Sequence, residues 1–299
     1  MIRRGWYSLG ILVGMIVLLV AARPRGELQL IACDVGQGDA ILITKGETQV
    51  LVDGGPSGEK LLDCLAEHTP FYDRQIELIV LTNTDADHLS GLRSVVDRYH
   101  VMRFVTADGV HASAQLELFI AQLAASSLTV EPVSAGDTIR ILGPAPLTFR
   151  VLSPPMTNRE YVAVFQPNLR SDVREQLLAA SAKRGNLNER SVVLLLLEDR
   201  YTALLMGDAG DQTEKRLVAS GDLSMVDYLK VGHHGSRYAS TQDFLDMIRP
   251  KIAVISVGQG NRYGHPTDET LARLKAVGAT VRRTDLEGTV VVVTPTHDE

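Results

Sequence analysis

The sequence predicts an α/β fold in which two β-sheets pack face to face with helices outside. Three observations carry this. The chain has 299 residues, enough to bury a sizeable core. Hydrophobic residues make up 45% and charged residues 22%, the balance of an ordinary folded protein rather than a disordered or collagen-like one. Short β-rich runs come first, and strands alternate with helical runs later, with no short-period repeat and no low-complexity tract.

The elements follow in order. Ile2-Arg3-Arg4 is a basic start, Leu9 to Ala22 is almost wholly apolar, and Arg23-Pro24-Arg25 follows. This reads as a secretory signal, with Val20-Ala21-Ala22 as a small-residue cleavage site, or as an uncleaved membrane anchor. Residues 1–25 are therefore set apart from a domain over 26–299, which is expected to be exported: extracytoplasmic, and either membrane-anchored or secreted. Leu28–Cys33, Ala40–Thr44 and Thr48–Val52 are β-rich and separated by Gly-containing turns. Gly58–Glu67 reads as a helix, Ile76–Leu81 as a buried strand, Leu89–Arg98 as a helix, Val101–Thr106 as a strand and Ser113–Ala125 as a helix. Three strands follow, over Leu128–Val133, Thr138–Leu142 and Thr148–Leu152.

Pro154 to Asn186 reads as a surface insertion. Ser191–Leu197 is an apolar strand, and Tyr201–Met206 pairs with it across a turn. Helix Asp211–Ser220, strand Val226–Lys230, helix Thr241–Ile248, strand Ile252–Ser256, helix Thr267–Val277 and two closing strands complete the chain. Cys33 and Cys64 allow one disulfide but are read first as small buried core residues.

The chemistry gathers at strand ends. Asn83-Thr84-Asp85-Ala86-Asp87-His88 follows an apolar strand and opens a helix. Asp85, Asp87 and His88 are good metal ligands. A helix cap would need one Asp, and explains neither the second nor His88. Met206-Gly207-Asp208 delivers one carboxylate at a strand end, and Lys230-Val231-Gly232-His233-His234-Gly235-Ser236 delivers two adjacent histidines flanked by glycine. Asp53-Gly54-Gly55 ends a strand too, and by itself reads as a turn. Ends of neighbouring strands converge, so these groups can share one ion of the kind that activates water.

Together the motifs resemble the metallo-β-lactamase superfamily, and their wording is similar to the extracellular nuclease domain of ComEC-type competence proteins. The matching segments are Asp34–Ala40, Leu51–Gly55, Asp85–His88, Leu205–Asp208, Leu229–Ser236 and Asn261–Pro266. The resemblance implies an αββα four-layer sandwich. It also implies two metal positions sharing Asp208. The first takes Asn83, Asp85 and Asn188; the second takes Asp87, His88 and His233 or His234. Asn83 departs from the pattern, where a His is usual. The first position is thus oxygen-lined and weak, and one tight metal is expected at the second. Oxygen-rich ligands put Mn²⁺ first and Zn²⁺ second.

The activity so implied is a metal-dependent hydrolase, a phosphodiesterase or DNase acting on extracellular single- or double-stranded DNA. Asp87 is expected to hold or deprotonate the attacking water. His265 and whichever of His233 and His234 is not a ligand are expected to stabilise phosphate charge. The net charge of −6 excludes bulk attraction to nucleic acid, so phosphate contact must be local. Lys230, Arg237, Lys251, Arg262, Arg282 and Arg283 are the basic residues that could form such a rim. Two alternatives stay open: hydrolysis of another ester (phosphocholine, lactone or thioester), and a binding module whose catalytic site has decayed at Asn83. The expected partners are DNA, a membrane through the N-terminal segment, and a separate channel protein for any role in DNA uptake.

Overall fold

The computed structural model describes residues 26–107, 113–126, 128, 130–155 and 186–294. The N-terminal apolar segment and nearly all of the expected insertion lie outside the described residues. No helix among those described is long and apolar enough to cross a membrane.

The first half of the chain runs β1 (Leu28–Ala32), β2 (Ile41–Lys45), β3 (Thr48–Val52), α1 (Gly58–His68), β4 (Gln75–Ile76), β5 (Leu78–Leu81), α2 (Ala86–Leu89), α3 (Leu92–Arg98), β6 (His100–Val101), β7 (Phe104–Ala107), α4 (Ala114–Ala125) and β8 (Val130–Val133). The second runs β9 (Thr138–Ile141), β10 (Leu147–Ser153), β11 (Val193–Glu198), β12 (Tyr201–Leu205), α5 (Asp211–Ser220), β13 (Tyr228–Lys230), α6 (Gln242–Ile248), β14 (Ile252–Ile255), α7 (Asp268–Ala276), β15 (Thr280–Arg283), α8 (Thr284–Glu287) and β16 (Val290–Val293). Two seven-stranded sheets result, ordered β16-β1-β2-β3-β5-β7-β8 and β15-β14-β13-β12-β11-β10-β9.

Side-chain alternation assigns the layers. Leu28, Leu30 and Ala32 of β1 face the second sheet, where Leu194 and Leu196 of β11 and Phe149 and Val151 of β10 meet them. Ile31 faces outwards onto the layer that includes Leu61 and Leu65 of α1, Leu92 of α3 and Phe119 of α4. Leu204 and Leu229 on the far sheet pack outwards against Leu217, Phe244, Leu245 and Leu274. The order is helix, sheet, sheet, helix, as the sequence predicts. Strands covered on both faces are apolar throughout, as in Leu78–Leu81, where all four residues are buried.

Strand polarity places the site. β3, β5, β7 and β8 run parallel, and so do β12, β13, β14 and β15. Their C-terminal ends gather at one end of the sandwich, and their N-terminal ends at the other.

Three readings are corrected. The expected strand Ile76–Leu81 is broken at Glu77, whose carboxylate accepts from Gln49 N (2.7 Å), while β4 pairs with β6 in a separate two-stranded sheet. The helix expected from Leu89 starts at Ala86, so Asp87 and His88 are helical, and it is interrupted before Leu92, where Gly91 N donates to Gly55 O (2.8 Å). Cys33 and Cys64 are buried, but they are bonded to each other with Cα atoms 5.9 Å apart. The end of β1 and helix α1 are adjacent layers, which brings the two sulfurs into reach.

Candidate metal centre

Each functional side chain hangs from the C-terminal end of a strand. Asp53 follows β3 with φ 61°, a left-handed conformation that is rare for a residue with a side chain. That turn aims its carboxylate at the next strand end, where it accepts from Thr82 N (2.7 Å) and Thr82 Oγ1 (2.6 Å). Its Oδ2 also lies 2.8 Å from His88 Nδ1. On the opposite sheet, His233 and His234 are left-handed as well, at φ 46° and 53°. His234 Nδ1 lies 2.9 Å from Ser256 O, after β14. A carbonyl only accepts, so Nδ1 carries the proton and the lone pair of a neutral ring is on Nε2. The carboxylate behind His88 orients that ring in the same way.

Both Nε2 atoms point to one place. His88 Nε2 is 3.3 Å from Asp208 Oδ1, and His234 Nε2 is 3.5 Å from the same oxygen and 3.4 Å from Asp87 Oδ2. His88 Nε2, His234 Nε2 and Asp208 Oδ1 are buried without a hydrogen-bond partner among the described residues. Unpaired buried polar atoms cost about 1–3 kcal/mol each. A cation between them removes that cost. Two imidazoles and two carboxylates fit a divalent metal: Asp87, His88 and His234 lie within reach of one ion, Asp208 adjoins both rings, and these four are the residues that would hold it.

The chain bends tightly to make this convergence. Gly38 has φ +151°, and a side chain there would meet Asp87 O at 2.2 Å. Gly207 has φ +53°, and a side chain there would meet Thr82 Oγ1 at 2.8 Å. Neither position tolerates a Cβ without moving a ligand loop.

Asn83, Asp85 and Asn188 stand beside the cluster but satisfy one another. Asn83 Nδ2 donates to Asn188 Oδ1 (3.1 Å) and reaches Asp85 Oδ2 (3.4 Å), and Asp85 N donates to Asn83 Oδ1 (3.1 Å). Asp85 is the N-cap of α2 but makes no side-chain capping bond. His233 is half-buried on this side, with Nε2 3.4 Å from Asn188 Nδ2 and its ring 5.7 Å from that of His265. His265 in turn stacks on Tyr263, centroids 6.1 Å apart. Asp85, Asn188, His233, Tyr263 and His265, with Gln37, line a cavity of about 300 Å³ that opens over Asp87 and Asp208.

The electrostatics follow from burial and proximity. Burial raises the carboxyl of Asp208, but His88 and His234 outweigh it and hold the group well below the usual range. Asp87 is lowered too: burial opposes, and the His234 hydrogen bond and the His88 charge prevail. Burial lowers both imidazoles, yet the carboxylates of Asp208 and Asp53 push His88 well up, and Asp208 and Asp39 push His234 up to about 10. His265 is lowered by burial and by His233 and His234.

Two groups have roles that sequence reasoning did not assign. Asp39 places Oδ1 3.3 Å from His234 Nδ1 and pairs through Oδ2 with Lys230. Lys230, expected on a phosphate rim, is buried and also donates to Gly207 O (3.1 Å). The rest of that rim is dispersed. Lys251 pairs with Asp227 (2.7 Å), Arg282 with Glu287 (2.6 Å) and Arg283 with Asp285 (2.6 Å). Arg237 and Arg262 are the two that are exposed on the loops of Tyr238 and Tyr263 at the site end. The only early sign of Asp39 and Lys230 was their place within motifs carried by the family resemblance.

Comparison with known proteins agrees with this geometry. Residues 33–173 match the model of the metallo-beta-lactamase superfamily. The chain is 27% identical to ComE operon protein 3 of Bacillus subtilis over 89% of its own length, and 26% identical to Recombination protein 2 of Haemophilus influenzae over 94%. It is 25% identical to competence protein ComA of Neisseria gonorrhoeae over 95%. It spans 33%, 31% and 35% of those proteins. Among solved structures, the metallo-beta-lactamase fold protein YhfI of Bacillus subtilis superposes with a TM-score of 0.53 at 11% identity, over 89% of this chain and all of that one. CmlA, a diiron beta-hydroxylase from Streptomyces venezuelae, gives 0.53 at 16%, over 91% of this chain and 55% of that one. With its two sheets, its outer helices and the cluster at their strand ends, the chain has the metallo-beta-lactamase fold, and its sequence is similar to those competence and recombination proteins.

Proposed function

We propose that this protein is a metal-dependent phosphodiesterase that cuts DNA outside the cytoplasm. The observation that carries the reading is the convergence of Asp87, His88, Asp208 and His234 at the floor of an open cavity. When bound there, a divalent cation supplies Lewis-acid charge and makes water more acidic. Manganese is the first choice and zinc the second. The remaining chemistry belongs to the chain. Asp87 is ionised at neutral pH, and a carboxylate so acidic orients the attacking water better than it deprotonates it. His233 and His265 line the cavity wall on the other side and present imidazole N–H groups to phosphoryl oxygens. The engaged amides of Asn83 and Asn188 make the neighbouring position the weaker of the two.

DNA is favoured over other esters by the competence and recombination names of the relatives and by the rim. Arg237 and Arg262 offer charge at the mouth, and the exposed rings of Tyr238 and Tyr263 offer stacking faces. The Cys33–Cys64 disulfide suits an oxidising compartment and supports export. A channel for DNA uptake would be a separate partner or lie in sequence outside this chain.

The test is hydrolysis of single- and double-stranded DNA by chelator-stripped protein resupplied with Mn²⁺, Zn²⁺ or Mg²⁺. Cleavage that needs metal and is lost in Asp208→Ala and His234→Ala supports the reading. Folded protein that binds metal yet cuts neither DNA sinks it.

A further inference from the structure

The exposed apolar side chains of this protein are sorted by end. Ten large hydrophobic residues are exposed among those described, and six of them, Phe71, Tyr72, Met102, Leu142, Met225 and Val293, lie at the end opposite the metal centre. Strand polarity establishes this. Met102 precedes parallel strand β7, Met225 precedes β13, and Leu142 follows β9, which runs antiparallel to β10. Tyr72, Met102 and Leu142 share a groove of about 940 Å³. Leu142 is 84% exposed among the described residues.

The chain enters at that same end. Gly26 lines this groove and a second one beside Val293. Only Arg23-Pro24-Arg25 separates it from the apolar stretch ending at Ala22. Four steps of chain reach at most about 14 Å. A bilayer holding Leu9 to Ala22 would therefore lie within one short leash of the apolar end. Five-residue strands add roughly 17 Å between that end and the site.

We infer that the apolar end is a membrane-contact face, which seats the domain on the bilayer with its metal centre facing away from the lipid. The inference rests on the anchor reading of residues 1–25 and not on the DNA reading. Arg103, Lys45 and Lys251 near this face are paired with Glu131, Glu198 and Asp227, while Arg140 and Arg200 line the two grooves. Recognition rests on the apolar side chains, with Phe71 and Tyr72 as interfacial rings, and zwitterionic lipid tests them without a contribution from anionic headgroups. The result is a tethered hydrolase whose cavity meets substrate arriving from the aqueous side.

The experiment uses the full chain in phosphatidylcholine vesicles with brominated acyl chains. The native Trp6 is replaced by Phe, and one reporter is introduced at a time: Leu142→Trp, Met102→Trp or Tyr263→Trp. Fluorescence at positions 142 and 102 should fall and shift to the blue, with position 263 unchanged. Two reporters at the apolar end guard against one that misfolds. A chain that does not float with vesicles, or quenching that is equal at both ends or confined to position 263, overturns the inference. DNA cleavage assayed on the same vesicles is scored separately, so either reading can fail alone.

Discussion

Asp53 stands behind His88, on the Nδ1 side of the ring, and the orientation of the candidate ligand atom Nε2 depends on it. Its carboxylate accepts from His88 Nδ1 and from two donors of Thr82, all in the interior. Asp53→Ala removes that support, and metal affinity should fall roughly 10–100-fold. Asp53→Asn, which still has one oxygen to accept, should lose less. Competition with a chromophoric chelator measures both, and an unchanged affinity in the Ala variant would show that His88 needs no orienting partner. In sequence this residue looks like a turn acid, because nothing local reveals that its left-handed backbone turns it towards a histidine 35 positions away. Asp87 and His88 were legible because both sit in one short run at a strand end. The acidic and imidazole groups also set a pH window for the metal-free protein. Asp208 is held well below its free value, so its stabilisation is complete above about pH 4 and disappears as pH falls further. His234 is raised to about 10, so its contribution is complete below about pH 6.5 and is lost as pH rises through 10. Thermal unfolding without metal should therefore peak between those limits. Both rings are held protonated to higher pH in the metal-free site than in solution, so metal uptake should release protons. Calorimetry in buffers of different ionisation enthalpy reads this directly; no proton release would contradict the ligand assignment of His88 and His234.

Among the elements, strands with an uninterrupted apolar run were readable, and the places where they break were not. Glu77 interrupts one such run because its carboxylate is recruited by the backbone of β3, a contact 28 residues distant in sequence. The short 3-10 turn Leu187–Arg190 was equally hidden, since four polar-rich residues carry no periodicity. It is fixed by α5: Glu189 accepts from Thr213 N and Thr213 Oγ1, both at 2.7 Å, and Arg216 donates to Glu189 O at 2.8 Å. That anchorage holds Asn188 against Asn83 and His233. The Cys33–Cys64 bond ties β1 to α1 across 31 residues. Closing a loop of that length removes unfolded-state entropy worth about 3–4 kcal/mol. Denaturation with and without reductant should differ by that order, and a difference near zero would mean that packing of α1 alone holds the layer.

At the scale of the molecule, the two sheets are joined at the site by charge as well as by apolar packing. The four-layer order was legible because short β-rich runs come first and strands alternate with helical runs later, and because the motifs resemble a family with that sandwich. Which charges meet between sheets was not, since Asp39 and Lys230 are 191 residues apart and look in sequence like a loop acid and a surface base. The structure buries both, with Asp39 on the loop after β1 and Lys230 on β13. Lys230 also holds Gly207 O, one residue before the candidate ligand Asp208. The pair therefore has two separable roles. Lys230→Met removes the lysine that pairs with a buried carboxylate, and should cost about 3–5 kcal/mol in chemical denaturation. Adding Asp39→Asn removes the orphaned charge, and most of that stability should return. Metal affinity should stay low in the double variant, because the loop of Asp208 has still lost its tether and His234 its neighbouring carboxylate. A double variant that regains full affinity would reduce the pair to a structural contact, while one as unstable as Lys230→Met alone would show that the charge of Asp39 is not what the lysine neutralises.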